Sequence, residues 1–553
     1  MGFKGSVEAI ATHNQAKQLL PGGGSEWLPV LIVFAAALLF ASTKRCYYYL
    51  YDLSPNYVFA AFLLSALASL FFWRERYEGL SPAFNILLKG IALSVGFYAL
   101  TASPSFDIDT HAEMSSTIIA LEASRLLAIA CAVLAIFRPS FTLVVCVYVL
   151  LSKDISKAVL DLPTLSRTDY MPVVELGIYL TLCVMIFEVL NRLQTKWQLS
   201  YWHAQPLEDR SARHRLSLVA FFVAVSVHFG NYFYSARAKY LLDGGPLDWV
   251  LENNTALLML VTQETWALPI GHWPELSLRL YDSFSAVYVL SNLVILLAQT
   301  VCIVAIWRVG WAMWLTVFYD ITHIVIFFVT GIFFWKWIFL NLFIVLAFRS
   351  IRSFVIPNWL KLLSSFFVVG GASVFFVAKL GWYDTNALAN HYFLAETENG
   401  DRARVPSNYF LTGSVTAAQQ RLGSLTSDQF PVETWATTRK SSVREKAERD
   451  CDFGPGHVEP RYKGDIDSLS EYVRKHHRYI LTHLDDNGRI WYDAYPHHIF
   501  SNPLMSREFY ALDKRKIEKY IYVVESVCLG SDRGRLMRDT RTRHEFEIRI
   551  VGQ

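Results

Sequence analysis

Long apolar runs occupy the first two thirds of the chain. A helix needs roughly 20 residues to cross about 30 Å of hydrocarbon. Nine runs approach that length: 27–43, 57–73, 84–103, 117–136, 171–190, 216–235, 283–306, 311–334 and 359–381. Two shorter runs, 140–152 and 337–348, fit a tilted span, a re-entrant segment or the second arm of a hairpin. The pattern predicts a polytopic α-helical membrane bundle of about 9 to 11 transmembrane segments.

The density of charged residues divides the chain into parts. Residues 384–553 hold 25 Lys+Arg and 25 Asp+Glu, whereas the whole chain has 51 and 48. We therefore expect a transmembrane helical domain over 27–383 and a soluble α+β domain over 384–553. Residues 6–20 carry apolar side chains at helical spacing, which predicts that 1–26 form a cytoplasmic amphipathic segment on the membrane surface. No cleavable signal peptide is expected, because the first apolar run begins late and lacks a cleavage site.

Basic residues between the apolar runs predict the orientation. Residues 191–215 carry Arg192, Lys196, Arg210, Arg213 and Arg215. Cytoplasmic loops have an excess of Lys and Arg, so this loop is placed in the cytoplasm. If all eleven runs cross, the N-terminus is inside and the C-terminal domain lies on the non-cytoplasmic side. If one short run does not cross, the C-terminal domain changes sides.

Turn signals and periodicity predict mixed structure in the C-terminal domain. Asn399-Gly400 and Asn487-Gly488 each lie between β-prone runs, and this dipeptide favours tight hairpins. Residues 466–479 and 507–521 have helical patterning, and the closing FEIRIVG is typical of a strand.

Composition excludes several classes of function. A net charge of +3 gives no reason for nucleic acid to bind. Five cysteines lie in or beside apolar runs, which indicates small core residues, while Cys451 and Cys528 are able to pair, although their spacing does not show it. The C-terminal domain has eight histidines without metal-ligand spacing, so surface and hairpin histidines are expected and no metal site is predicted. They are His391, His457, His476, His477, His483, His497, His498 and His544.

The apolar segment 222–254 contains the first group of candidate site residues. His228 and Asn231 fall about one turn apart, and Lys239 follows at the end of the run, before a Gly-Gly-Pro break. A lysine at a span end is usually an anchor that reaches the membrane surface. In a dry pocket, burial disfavours the charged form of a lysine, and the neutral amine is able to act as a base. Both interpretations of Lys239 stay open.

A second candidate pair lies in a later apolar run. Asp320 and His323 stand at positions i and i+3, so the carboxylate is able to orient or charge the imidazole. A buried structural pair and a functional pair explain this spacing equally well.

Short motifs in these two segments resemble the vitamin K-dependent γ-glutamyl carboxylases and their bacterial relatives, the HTTM (horizontally transferred transmembrane) proteins. The first motif is a span that ends in Ala238-Lys239, then a glycine-bearing break, then Asp248-Trp249. The second comprises Trp307-Arg308, Thr322-His323, Thr330-Gly331-Ile332-Phe333 and Phe334-Trp335. The resemblance covers about residues 30–350.

The resemblance implies a chemistry for these positions. In the carboxylases a lysine is the base that starts oxygenation of a reduced quinone, and Lys239 matches it. Two departures are evident. The stretch expected to carry the family's catalytic histidine has Asp169, and Thr322 stands where an aromatic residue precedes the second histidine. A reduced quinone is therefore a possible cofactor by resemblance alone.

Two functional hypotheses follow from the sequence. The first is a membrane enzyme that acts on a lipophilic or peptide substrate, with Lys239 as the base and His323, oriented by Asp320, in a supporting role. His228, Asn231, Asp248 and Trp249 are the expected substrate-binding residues. The alternative is a non-enzymatic transporter or a membrane platform that captures a partner through the C-terminal domain. The chain lacks the internal hydropathy repeat of many transporters. Membrane lipid is an expected partner in both cases.

Overall fold

The computed structural model describes residues 27–101, 104–161, 167–197, 210–419, 421–422, 425, 435–450, 465–486, 498–532 and 535–550. The predicted amphipathic segment 1–26 and the Asn487-Gly488 turn lie outside these ranges.

A helical bundle forms the first two thirds of the described chain. Its helices are α1 (Trp27–Leu53), α2 (Val58–Phe71), α3 (Pro82–Thr101), α4 (Ser115–Ala135), α5 (Thr142–Leu160), α6 (Arg167–Trp197), α7 (Arg210–Tyr240), α8 (Asp248–Glu252), α9 (Leu257–Glu264), α10 (Pro274–Ala305), α11 (Val309–Thr330), α12 (Trp335–Ser350) and α13 (Asn358–Gly370). Seven helices among the described residues are long and apolar enough to cross a membrane: α1, α3, α4, α6, α7, α10 and α11. Both short runs are helices, α5 and α12.

Helix α7 is the centre of the bundle. Its most apolar window is 94% buried, against 17% for α10 and 28% for α1 and α11. The outer helices expose large apolar side chains, such as Leu38, Leu126 and Leu290. The bundle is thus apolar on its outside, while the helix at its centre carries His228, Asn231 and Lys239.

The two ends of the bundle have different surroundings. At one end, Arg213 pairs with Glu75 at 2.9 Å, and Arg138 donates to the Arg74 carbonyl. The chain turns at this end after α2, α4, α10 and α12, so we call it the basic end. Its arginines are Arg74, Arg76, Arg138, Arg192, Arg210, Arg213, Arg215, Arg308, Arg349 and Arg352. The opposite end, called the domain end, contacts the C-terminal domain through Glu113 and Lys475 at 2.8 Å.

The C-terminal domain contains two antiparallel sheets and short helices. Its elements are β1 (Tyr383–Asp384), β2 (Ala387–Thr397), β3 (Arg402–Arg404), α14 (Ser414–Ala418), β4 (Thr437–Thr438), α15 (Ser441–Asp450), α16 (Ile466–Thr482), α17 (Arg507–Ala511), β5 (Ile517–Asp532) and β6 (Arg535–Arg549). The larger sheet has the order β3-β2-β5-β6, and β1 pairs with β4. Strands β2 and β3 form the predicted hairpin, with Gly400 at φ +84° in its turn.

Two local predictions for this domain need correction. The helix predicted over 507–521 is wrong beyond Ala511, because Ile517 begins the long central strand β5. Most of β5 is buried on both faces, so its apolar residues do not alternate and the strand period is lost. The expectation of surface histidines is also wrong for His476, His477 and His498, which are buried, whereas His391 lies in strand β2 of the predicted hairpin.

The cysteines mostly agree with the sequence. Cys131, Cys146, Cys183 and Cys302 are buried, but Cys46 is exposed. Cys528 is disulfide-bonded, and Cys451 lies outside the described residues.

A short segment of the C-terminal domain docks on the break between α11 and α12. Gly331 ends α11 with φ +68°, a conformation that glycine adopts without strain. Its carbonyl accepts from Phe500 N at 2.8 Å, and Phe333 N donates to the His498 carbonyl at 2.7 Å. Asn502 extends the contact by donating to the Leu268 carbonyl at 2.9 Å. Backbone hydrogen bonds therefore fix His498 at the domain end of the bundle.

We expect acid to destabilise the C-terminal domain. Burial lowers the pKa of His391, His476 and His477 from 6.5 to about 4. The folded state therefore favours neutral imidazoles, and this stabilisation is complete above pH 6.5 and is lost as the pH falls to 4. The unfolding temperature of the purified protein should fall over this window. The corresponding loss of unfolding free energy is at most on the order of 3 kcal/mol per histidine.

A pair of variants tests the assignment. His477 Nδ1 lies 2.9 Å from the Tyr520 hydroxyl. His477→Gln should flatten the pH dependence, whereas His483→Gln, at an exposed position, should leave it unchanged. Equal slopes in the two variants would contradict the prediction.

Candidate active site

The Lys239 amine is enclosed at the domain end of α7. Lys239 is 6% exposed. Its Nζ donates to the Leu380 carbonyl at 2.7 Å, to Gln299 Oε1 at 3.2 Å and to the Ser235 carbonyl at 3.4 Å. All three acceptors are neutral oxygens, and the Trp249 ring centre lies 4.8 Å from Nζ. The side chain thus ends inside the protein and does not extend to the surface.

A buried carboxyl group belongs to the surroundings of Lys239. Asp384 accepts from Asn253 Nδ2 at 3.1 Å and from Trp382 Nε1 at 3.0 Å. Burial raises the pKa of Asp384 to about 7, and the charge of Lys239 opposes this rise only in part. The group therefore changes protonation near neutral pH.

The break after α7 places the other two predicted residues of this motif. Trp249 stacks against the amine and donates through Nε1 to the Trp382 carbonyl at 3.0 Å. Asp248, in contrast, faces the Tyr383 hydroxyl. The Asp-Trp pair is thus divided: the tryptophan contacts the lysine, and the aspartate contacts the following strand.

A second polar centre lies eleven residues before Lys239 on α7. It joins two predicted residues, His228 and Asp320, through an asparagine that the sequence did not single out. Asn341 Oδ1 accepts from His228 Nε2 at 2.8 Å, and its Nδ2 donates to Asp320 Oδ1 at 2.8 Å. The same amide donates to the Tyr232 hydroxyl at 3.1 Å. His323 Nδ1 is 4.0 Å from Asp320 Oδ1 and makes no hydrogen bond within the described residues. Asn341 therefore orients both the carboxylate and one imidazole.

Asn231 has a different role. Its Oδ1 accepts from Ala378 N at 2.8 Å, and its Nδ2 donates to the His228 carbonyl at 3.1 Å. These contacts connect α7 to the segment after α13. They use the amide for packing and leave it turned away from the Asn341 centre.

A third centre was missed from the sequence. Lys336 Nζ lies 2.5 Å from Asp169 Oδ2, and His498 Nδ1 lies 3.5 Å from Asp169 Oδ1. All three residues are at most 7% exposed. Burial lowers the pKa of His498, so its neutral form is favoured. The apolar environment of Lys336 in the sequence was a signal, but its partners are 167 and 162 positions away along the chain.

Aromatic rings separate the second and third centres. The Phe334 ring centre lies 5.1 Å from that of His323 and 5.2 Å from that of His498. Trp337 packs against His228 and His323 at 5.5 and 5.7 Å. Lys239 follows His228 by eleven residues, or about 16 Å along a helix. The first two centres thus lie along one face of α7, and the third adjoins the second at the start of α12.

Comparison of the chain with protein-family models, with curated proteins and with solved structures found no match. The likeness to the carboxylases therefore stays a prediction from the short motifs around Lys239 and His323.

We expect Asn341→Leu to destabilise the bundle. The substitution removes the partner of Asp320 and His228 while keeping the branched shape of the side chain, so a buried imidazole and a half-buried carboxylate lose their hydrogen bonds. The expected loss is about 2 to 3 kcal/mol of unfolding free energy. It should appear as a lower unfolding temperature than that of Asn358→Leu, a control at an exposed position. Equal unfolding temperatures would show that the Asn341 contacts do not stabilise the fold.

Proposed function

We propose that the chain is a multi-pass membrane enzyme with carboxylase-like chemistry, in which Lys239 is the base. The observation that carries the proposal is the enclosure of the Lys239 amine among neutral oxygens. Removal from water disfavours the ammonium, and a neutral amine at this position would keep two of the three hydrogen bonds and a free lone pair. A neutral amine in a dry site accepts a proton from a bound substrate.

Membrane insertion is supported by the outer surface of the bundle. Leucines and other large apolar side chains cover α1, α4 and α10, and lipid is the solvent that suits such a surface. Inside, α7 carries polar groups that pair with one another. This distribution is what a bilayer imposes on a polytopic protein.

The proposed orientation places the basic end in the cytoplasm. Ten arginines lie at or near that end, as expected for cytoplasmic loops. The C-terminal domain then lies on the non-cytoplasmic side. The disulfide at Cys528 supports this side, because disulfides persist in oxidising compartments.

The surroundings of Lys239 fit a flat, lipophilic cofactor such as a reduced quinone. Trp249 offers an aromatic face beside the amine. Two of the three amine acceptors are fixed backbone carbonyls, but Gln299 is a half-buried side chain that is able to rotate. Rotation of Gln299 would release its hydrogen bond to the Lys239 amine and leave that amine free to bond a ligand hydroxyl. A reduced quinone bound there would supply the reducing equivalents for an oxygen-dependent reaction.

The Asn341 centre has a supporting role in this proposal. Asn341 holds the Asp320 carboxylate near His323, whose Nδ1 is unbonded within the described chain. An imidazole with an open nitrogen beside a carboxylate is suited to hold and pass on a proton. His228, on the other side of Asn341, completes the hydrogen-bonded group.

One observation favours a non-enzymatic platform as the second candidate. The three acceptors of Lys239 match the three hydrogens of an ammonium, which is also the arrangement of a structural clamp between α7, α10 and the segment after α13. A clamp would be needed for stability and would take no part in proton transfer.

Oxygen uptake distinguishes the two candidates. Purified protein in neutral detergent should consume oxygen when a chemically reduced naphthoquinone is added. Lys239→Met and Lys239→Arg should each lower this rate by about 100-fold or more, because neither side chain is able to act as a neutral base. Lys361→Met, at a half-buried position of α13 far from Lys239 in the chain, is the control and should retain the rate.

Unfolding temperatures of the same variants complete the test. If Lys239→Met unfolds like the wild type and is inactive, the role of the amine is chemical. If the wild type shows no quinol-dependent uptake and Lys239→Met unfolds at a much lower temperature, the structural clamp is correct.

Cysteine labelling tests the orientation. Asp401, in the β2–β3 turn, and Arg352, at the basic end, are both exposed. In intact cells a membrane-impermeant maleimide should label Asp401→Cys, and Arg352→Cys should be labelled only after permeabilisation. The reverse pattern would place the C-terminal domain in the cytoplasm.

A further inference from the structure

Two lysines share one aromatic ring at the domain end of the bundle. Lys153 Nζ lies 5.1 Å from the Tyr98 ring centre, and Lys336 Nζ lies 5.7 Å from the same centre. Lys153 is also 5.7 Å from the Tyr170 ring centre. Two ammonium groups close to one ring repel each other unless negative charge separates them.

The negative charge available here is used by one of the two lysines. Asp169 pairs with Lys336 through Oδ2. Lys153 makes no ion pair or hydrogen bond with a described residue; it contacts two tyrosine rings and interacts with the Asp169 charge at longer range. Cation–π contacts with partly buried rings offset only part of the cost of removing an ammonium from water. With both lysines protonated, the cluster carries one positive charge in excess of the Asp169 carboxylate.

Polar atoms of the same cluster are also unpartnered. Asp169 Oδ1 and His498 Nδ1 are buried, and neither makes a hydrogen bond with a described residue. They lie 3.5 Å apart. His498 is 94% buried and belongs to the segment of the C-terminal domain that docks on Gly331. Unpaired buried polar atoms are uncommon in folded proteins. His498 Nδ1, as an N–H, is able to donate to an anion, whereas Asp169 Oδ1 is an acceptor and needs a donor such as bound water.

The position of Lys153 adds a further argument. The proposed orientation places Lys153 on the non-cytoplasmic side, where the rule for basic loops does not favour cations. The Lys153 side chain is also partly buried beneath aromatic rings. A role in fixing the orientation of the bundle does not explain a lysine at this position, whereas a role in binding an anion does.

We infer that Lys153, together with Lys336 and His498, binds an oxyanion, a carboxylate or phosphate group, where the C-terminal domain meets the bundle. The anion neutralises the excess charge by accepting hydrogen bonds from the Lys153 amine. Lys336 holds Asp169 in place, and His498 closes the site from the C-terminal domain. The site does not depend on Lys239 and stands whether or not the proposed reaction does.

Thermal unfolding measures the binding. The purified protein is titrated with inorganic phosphate and, separately, with succinate in neutral detergent, with chloride used to hold the ionic strength constant. Wild-type protein should gain at least about 2 °C in unfolding temperature at saturation. Lys153→Met should unfold at a higher temperature than the wild type without anion, since an uncompensated charge is removed, and should not respond to the anions. Lys361→Met, the control on α13, should respond like the wild type.

The source of the oxyanion is resolved by a second arm in lipid nanodiscs. A response to phosphate or succinate in detergent that Lys153→Met lacks indicates a soluble ligand. A response that is seen only when phosphatidic acid is added to phosphatidylcholine discs, and that Lys153→Met lacks, indicates a lipid headgroup. If neither addition stabilises the wild type more than Lys153→Met, the inference is overturned. Lys153→Arg, which keeps the charge, should retain the response and excludes a loss through misfolding.

Discussion

The burial of polar groups along α7 is the constraint on which the rest of the structure depends. A helix that is almost entirely enclosed has no water for its side chains, so each polar group needs a partner on a neighbouring helix or segment. His228 is hydrogen-bonded to Asn341, and Lys239 donates to the Leu380 carbonyl. Asn231 accepts a hydrogen bond from Ala378 N. These contacts determine how α12 and the segment after α13 pack on α7.

The same constraint explains why the chemistry-bearing residues are concentrated on a few elements. The outward faces of the outer helices are apolar, and leucine side chains have no groups that bind protons or donate hydrogen bonds. The breaks between helices are different, because backbone carbonyls such as those of Leu380 and Gly331 become available there as acceptors. Lys239 and His498 both lie at such breaks. The irregular backbone of the bundle is thus where charged groups are accommodated.

The sequence predicted seven of the long helices, but the runs at 57–73 and 359–381, expected to be full spans, form the shorter helices α2 and α13 of 14 and 13 residues. It predicted the polar centres only in part. Helix length and apolar composition are local properties, so the runs at 27–43 and 216–235 correspond to α1 and α7. The polar centres, in contrast, are formed by residues that are distant in the chain. No pattern around Asp169 indicates its contact with His498. Asn341 is a single asparagine in an apolar run and belongs to no recognisable motif. Strand β5 was misread because a strand buried on both faces loses the two-residue period. Its partners β2 and β6 are known only from the fold.

The docking of His498 beside Asp169 has a consequence for biogenesis. The bundle helices all precede residue 371, yet one wall of the Asp169 centre is supplied by a segment that is synthesised more than a hundred residues later. During translation, Asp169 and Lys336 therefore lack the side of the centre that His498 later covers. Their charges are open to water until the C-terminal domain has folded. The interval in which this centre is incomplete ends when the C-terminal domain folds.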